Sequence, residues 1–152
     1  MNSEDFPRFT FHTTEDESPT IELIYSSTLS EKMHSSKGAF SESLYIYGEA
    51  LEFALKRDWP LRLLSVGLGL GYNELIAASL SLKYKKPLEL IDSFEIEPML
   101  TTQFLSWLGL APENLDKEFQ KAYETILCFC EKHFNVSAPM ILEQIVELYQ
   151  NQ

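Results

Sequence analysis

Hydrophobic and polar positions change period along this chain, and each change marks a different kind of element. Phe9, Phe11 and Thr13 alternate with polar neighbours, Glu15-Asp16-Glu17-Ser18-Pro19 supplies turn chemistry, and residues 20–26 alternate again at Ile21, Leu23 and Tyr25. A period of two on both sides of a turn predicts a β-hairpin. Residues 26–37 are polar and without period, and are expected to form a loop carrying Glu31, His34 and Ser35. From Ser41 the spacing becomes helical. Leu44, Tyr47, Leu51, Ala54 and Leu55 share one face, and Asp58-Trp59-Pro60 ends the run because proline cannot continue a helix.

Residues 61–66 form a short apolar run between that proline and Gly67, the pattern of a strand buried in a parallel sheet. A helix over 73–84, with Leu75, Ile76, Ala78, Leu80 and Leu82 mostly inward, leads to Pro87 and a second strand over 88–94. Strand, helix and strand in this order predict a parallel pair joined by a crossover. Three helical stretches follow, over 98–108, 114–133 and 139–149. The middle one places Phe119, Ala122, Tyr123, Ile126, Leu127 and Cys130 on one stripe, and the last has Ser137 as N-cap and Pro139 in its first turn. The tail helices are therefore expected to cover an edge or face of a two-stranded sheet. The alternatives are a short third strand at 134–136, or a further segment or second chain that completes the sheet. The expected fold class is α/β: a partial Rossmann-like unit with an N-terminal β-hairpin and a helical C-terminal tail. Residues 1–60 hold the hairpin, loop and first helix, and residues 61–152 the Rossmann-like half with its tail, as one structural unit.

Composition narrows the class. Hydrophobic residues make up 45% of the 152, with ten Phe, seven Tyr and two Trp, which is enough for a packed core. No apolar run approaches the ~20 residues that cross a bilayer, and the acidic start, Met1 to Asp5, lacks the features of a signal peptide. A cytoplasmic protein without a membrane partner is expected. Cys128 and Cys130 point ~200° apart on a helix, so buried or half-buried thiols are expected rather than a metal clamp. The net charge of −11 argues against a broad nucleic-acid footprint. Lys83, Lys85 and Lys86 cluster at a helix end, where the negative end of the macrodipole accounts for them as a solvated terminus.

The chemistry concentrates at Gly67-Leu68-Gly69-Leu70-Gly71-Tyr72-Asn73, where a strand runs into a helix. Glycines allow positive φ and a close ligand approach, and the helix start presents unpaired N–H groups. A dinucleotide fingerprint requires a third glycine where Tyr72 stands, so the spacing disfavours a nucleotide-binding or NAD-dependent enzyme. A ligand-free tight turn would need fewer glycines. At the end of the second strand, Glu95 is placed to accept hydrogen bonds from ribose hydroxyls, with Glu97 as the alternative. Taken alone, His34 reads as a hydrogen-bonding loop residue and Glu42 as an acid suited to the first turn of a helix.

Three segments together resemble the MnmC-like family of S-adenosylmethionine-dependent tRNA methyltransferases. Ser93-Phe94-Glu95 followed by Pro98 is similar to its S-F-E-x-x-P, and residues 67–73 resemble its G-F-G-T-G-L-N. His34-Ser35 with Gly38, Ala39, Glu42 and Ser43 resembles the H-S-x-x-G-A-x-x-E-S of its stand-alone members. The resemblance implies S-adenosyl-L-methionine as cofactor, held by Gly67, Gly69, Gly71, Asn73 and Glu95, with His34 and Glu42 beside the pocket. It implies methyl transfer to the aminomethyl nitrogen of a modified wobble uridine, and tRNA as partner. Two departures stand out. Ser65 replaces the acid that the family places near the cofactor's amino group, and the later D-A-F-x-P motif, whose Asp handles the attacking amine, has no counterpart here. The chain is thus expected to correspond to the front half of the family domain and to stop before the catalytic strand. Its own catalytic base is unknown. Binding of the cofactor without turnover is the rival expectation.

Overall fold

The structure, a computed structural model, describes residues 8–112 and 114–151; the acidic Met1–Asp5 segment read above lies outside them. Strands β1 (Arg8–Thr13) and β2 (Pro19–Ile24) form the expected hairpin. A third strand, β3 (Ser30–Lys32), adds to β2, so the region expected to be an irregular loop extends the hairpin to a three-stranded antiparallel sheet. All three β3 residues are exposed and polar, so no side-chain period could announce the strand. It exists because its backbone pairs with β2, and Ser30 Oγ donates to Glu22 Oε1 at 2.5 Å.

The helical face read from Leu44 to Leu55 is interrupted. Helix α1 (Ala39–Ser43) runs through a π-helical turn, Leu44–Gly48, into α2 (Glu49–Lys56). The wider turn inserts extra chain and breaks the 3.6-residue register. Leu51 and Leu55 remain buried, but Tyr47, expected beside them, turns outward with Tyr45 and Ile46. Gly48 instead faces α3, where an added Cβ would lie 3.6 Å from Ile76 Cγ2.

Strands β4 (Leu61–Val66) and β5 (Leu88–Phe94) pair in parallel, joined by α3 (Tyr72–Tyr84). Residues 72 to 81 of α3 are all buried, the polar Asn73, Glu74, Ser79 and Ser81 included. Helices α4 (Pro98–Trp107), α5 (Lys117–Phe134) and α6 (Ala138–Gln150) follow the expected order, and every residue of the stripe read on α5 is buried. α3 packs against α5 and α6, and α6 against β5. The fold is thus α/β, a partial Rossmann-like unit beside an antiparallel sheet. No strand follows β5 among the described residues, and Asn135 in the left-handed region closes α5 where a third strand had been an alternative.

Three finer expectations change. β4, expected as a buried strand, is buried only at Leu61, Leu63 and Ser65; Leu64 and Val66 are exposed, at 63% and 74%. Helices cover one face of the pair, so the alternate residues of β4 meet solvent; a register shift breaks the alternation in β5. Ser137 occupies the N-cap position of α6 without a side-chain cap, and Glu131 Oε1 accepts the Ala138 N–H at 3.0 Å in its place. Lys86 is no mere solvated terminus: its Nζ lies 2.5 Å from Asp58 and donates to the Leu55 carbonyl at the end of α2. Cys130 is buried and Cys128 half-buried. No helix among the described residues is long and apolar enough to cross a membrane.

Candidate functional site

The turn between β4 and α3 needs its glycines. Gly67, Gly69 and Gly71 have φ of 84°, 53° and 73°, a region that costs other residues about 1–2 kcal/mol each. Four of the loop's amides are already committed. Gly67 and Leu68 donate to the Phe94 carbonyl at 2.8 and 3.3 Å, Gly69 donates to Glu95 Oε2 at 2.9 Å, and Gly71 donates to the Leu68 carbonyl at 2.8 Å. Glu95 is pinned from the other side as well, because its Oε1 accepts the Glu97 N–H at 3.0 Å. Glu97 itself caps α4 through Met99 N–H. A carboxylate has about four acceptor positions, so Glu95 keeps two free after tying the loop to β5.

Opposite this loop stand the residues around His34. Its Nδ1 lies 3.0 Å from Thr20 Oγ1, and its ring meets the edge of Tyr72 at 5.0 Å. Tyr72 begins α3, and its hydroxyl donates to the Pro19 carbonyl at 2.5 Å, so the helix after the glycine loop is bolted to the antiparallel sheet. Burial pushes the His34 imidazole below its ordinary pKa, against the opposing pull of Glu42 and Asp16, and leaves it neutral at neutral pH. Glu42 Oε2 accepts the Ser35 N–H at 2.8 Å.

Helix α1, which carries Glu42, is held from the hairpin turn. Its first amides find no cap of their own, since Gly38 precedes them. Thr14 Oγ1 accepts from Ala39 N–H at 3.3 Å, Ser18 Oγ from Phe40 N–H at 2.9 Å, and Asp16 Oδ2 from Ser41 N–H at 2.9 Å and Ser41 Oγ at 2.7 Å. Thr14 and Ser18 hydroxyls donate to Asp16 Oδ1. Burial alone would raise the Asp16 pKa, but these donors outweigh it and hold the carboxyl far below its ordinary value. Asp16→Ala is expected to cost about 3 kcal/mol, from a lost cap and the hydroxyls left without their acceptor. A depressed pKa contributes stability that is present above the unfolded value and lost as pH falls. The gap between wild type and variant in urea unfolding should therefore be full at pH 7 and close as pH drops below about 4.

Between these walls lies a cleft of about 320 Å³, at the small end of the range typical of ligand pockets. It brings together His34, Glu42, Gly67, Gly69 and Asn73 from the sequence reading, with Glu31 and Lys32 at its rim. Gly71 and Glu95 are not among its lining residues; Glu95 is half-exposed and reaches the cleft wall through its bond to Gly69. An added Cβ at Gly71 would meet Phe104 Cε2 at 2.4 Å, so packing of α4 accounts for that glycine. Ser65 is fully buried, and its hydroxyl accepts from Asn73 Nδ2 at 3.3 Å rather than facing the cleft. Met33, Ile46 and Tyr47 also line it and were not read as site residues. The π turn places the last two there, and no pattern in the sequence signals it. The Thr14-x-Asp16-x-Ser18 cap is a missed signal that alternation of short polar residues opposite an uncapped helix would have revealed.

No protein-family profile matches this chain, and no characterised protein sequence does. Among solved structures, the fold is similar to the crystal structure of MnmC2 from Aquifex aeolicus, with 27% identity and a TM-score of 0.48. That similarity covers 83% of this chain and 38% of the other, so this chain spans well under half of that structure's length.

Proposed function

We propose that the cleft binds S-adenosyl-L-methionine and serves methylation of the aminomethyl group of a modified wobble uridine in tRNA. One observation carries the cofactor reading: two segments far apart in sequence, the glycine loop and the His34–Glu42 stretch, form opposite walls of one cleft. The charge pattern selects among ligands. The amides of Gly67, Leu68 and Gly69 point to a carbonyl and a carboxylate, which leaves none of them to cradle a pyrophosphate. At the cleft Glu31 and Glu42 outnumber Lys32, and Glu95 bonds the loop beside it, a balance that favours a cation such as a sulfonium with its ammonium group. The tRNA acceptor rests on the resemblance of the three motifs alone.

A second reading, cofactor binding without turnover, is favoured by the lack of a D-A-F-x-P motif in residues 1–152. An amine acceptor is largely protonated near pH 7 and needs a base. Calorimetric titration decides the cofactor: heat of binding is expected with S-adenosylmethionine and none with NAD, and the reverse would remove the proposal. Methyl transfer to undermodified tRNA then separates the two readings. Turnover by this chain would point to a base among Glu31, His34 and Glu42. Glu95→Gln is expected to weaken cofactor binding by about 1–3 kcal/mol, the scale of a hydrogen bond to a charged acceptor. Titration of the variant with the same cofactor measures it, and an unchanged affinity would dissociate Glu95 from the ribose.

A further inference from the structure

Among the described residues, Glu74 is the one acidic residue that is fully buried, and it sits in the first turn of α3 directly after the glycine loop. Its Oε1 accepts from Ser93 Oγ on β5 at 2.7 Å, and the Tyr149 hydroxyl of α6 lies 2.8 Å from that same Ser93 Oγ. Ser93 has one proton to give, so Tyr149 donates to Ser93 and Ser93 to Glu74. On the other side Asn73 Nδ2 donates to Ser65 Oγ at 3.3 Å, and Ser65 on β4 also faces the Glu74 carboxyl. A relay from the C-terminal helix therefore ends on a carboxyl one residue along from Asn73, which lines the cleft. Glu74 Oε2 has no protein partner.

We infer that Glu74 is a positioning residue for the cleft, coupling the start of α3, and Asn73 with it, to the docking of α6 through Ser93 and Tyr149. An orphaned carboxyl oxygen in a closed interior is expensive, and a packed apolar side chain would remove that cost. Its position between the two strand ends, beneath the loop, gives the carboxyl a task that an apolar residue would not perform. It holds the start of α3, and Asn73 with it, at a fixed spacing from β5.

The groups that face it are Ser65 of β4, Ser93 of β5, Tyr149 of α6 and, farther off, Glu95 at the end of β5. Burial raises the Glu74 pKa, the two serines oppose this, and Glu95 adds to it. Burial likewise keeps the Tyr149 phenol protonated and able to donate. The folded chain thus retains a proton that the unfolded chain releases above 4.5, and its stability falls as pH rises from that value toward the raised one.

The role rests on the cofactor reading for its ligand, and its test carries a readout that does not. Amide hydrogen exchange over residues 67–75 of the full chain, without ligand, reports the loop directly. Glu74→Leu is expected to speed exchange there about tenfold relative to the rest of the chain, and Glu74→Gln to rescue it with a flat pH profile. Tyr149→Phe, remote from the cleft, is expected to give a smaller increase at the same amides. Titration with S-adenosylmethionine should follow the same order. Equal exchange at 67–75 in wild type and Glu74→Leu would overturn the inference, as would a uniform increase across the chain in both Glu74 variants. Failure of the wild-type chain to bind S-adenosylmethionine would remove the functional reading, and the exchange comparison would still decide Glu74.

Discussion

Gly71→Val is expected to destabilise the chain by roughly 2–5 kcal/mol, enough to unfold a marginal domain at 37 °C. Two costs add. At φ 73° a β-branched residue is strained by its own backbone, and its Cβ would stand 2.4 Å from Phe104 Cε2. Phe104 cannot retreat easily: it is fully buried and packs edge-on against Tyr123 and Tyr149. Urea unfolding should show a lower midpoint with little change in slope. A midpoint equal to wild type would mean that the loop and α4 part readily, and that the glycine is kept for another reason.

Gly69→Leu is the corresponding experiment on function. It is expected to abolish measurable binding of S-adenosylmethionine while costing only about 1–2 kcal/mol of stability. Gly69 lines the cleft, and the nearest atom to an added Cβ is Met33 Sδ, at 3.0 Å. Met33 is a flexible side chain and can move aside, so the fold tolerates the substitution where the Gly71 position does not. The new side chain would then occupy a cleft of only about 320 Å³. Calorimetry beside thermal unfolding tests both halves. Retained affinity in a folded Gly69→Leu chain would place the cofactor elsewhere.

These two glycines, identical in the sequence pattern, separate only in the fold. Alternation of glycine at a strand end reveals the turn, because the turn demands positive φ whatever surrounds it. Which glycine faces a ligand and which faces an aromatic ring depends on α4, whose contact with the loop no local pattern encodes. The same holds for Glu95. Its place at a strand end was legible, but its engagement with the Gly69 amide follows from the pairing of β4 with β5.

The sequence by itself determined the order and kind of the long elements: the hairpin, the parallel strand–helix–strand unit and the three tail helices. Each carries enough side chains in one period for burial to be inferred from spacing. It also marked His34, Glu42, Gly67, Gly69 and Asn73, which the fold brings to one cleft. Tertiary structure alone decided the rest. β3 is a strand only by pairing with β2, and the π turn exposes Tyr47 because Gly48 lets that segment close on α3. The exposure of Leu64 and Val66 follows from which face the helices cover. Glu74 stands in the first turn of a helix, the place where a carboxylate is normally solvated and welcome. Only the convergence of β4, β5 and α6 around that turn makes it a buried group, because burial depends on what packs against a residue and not on its neighbours along the chain.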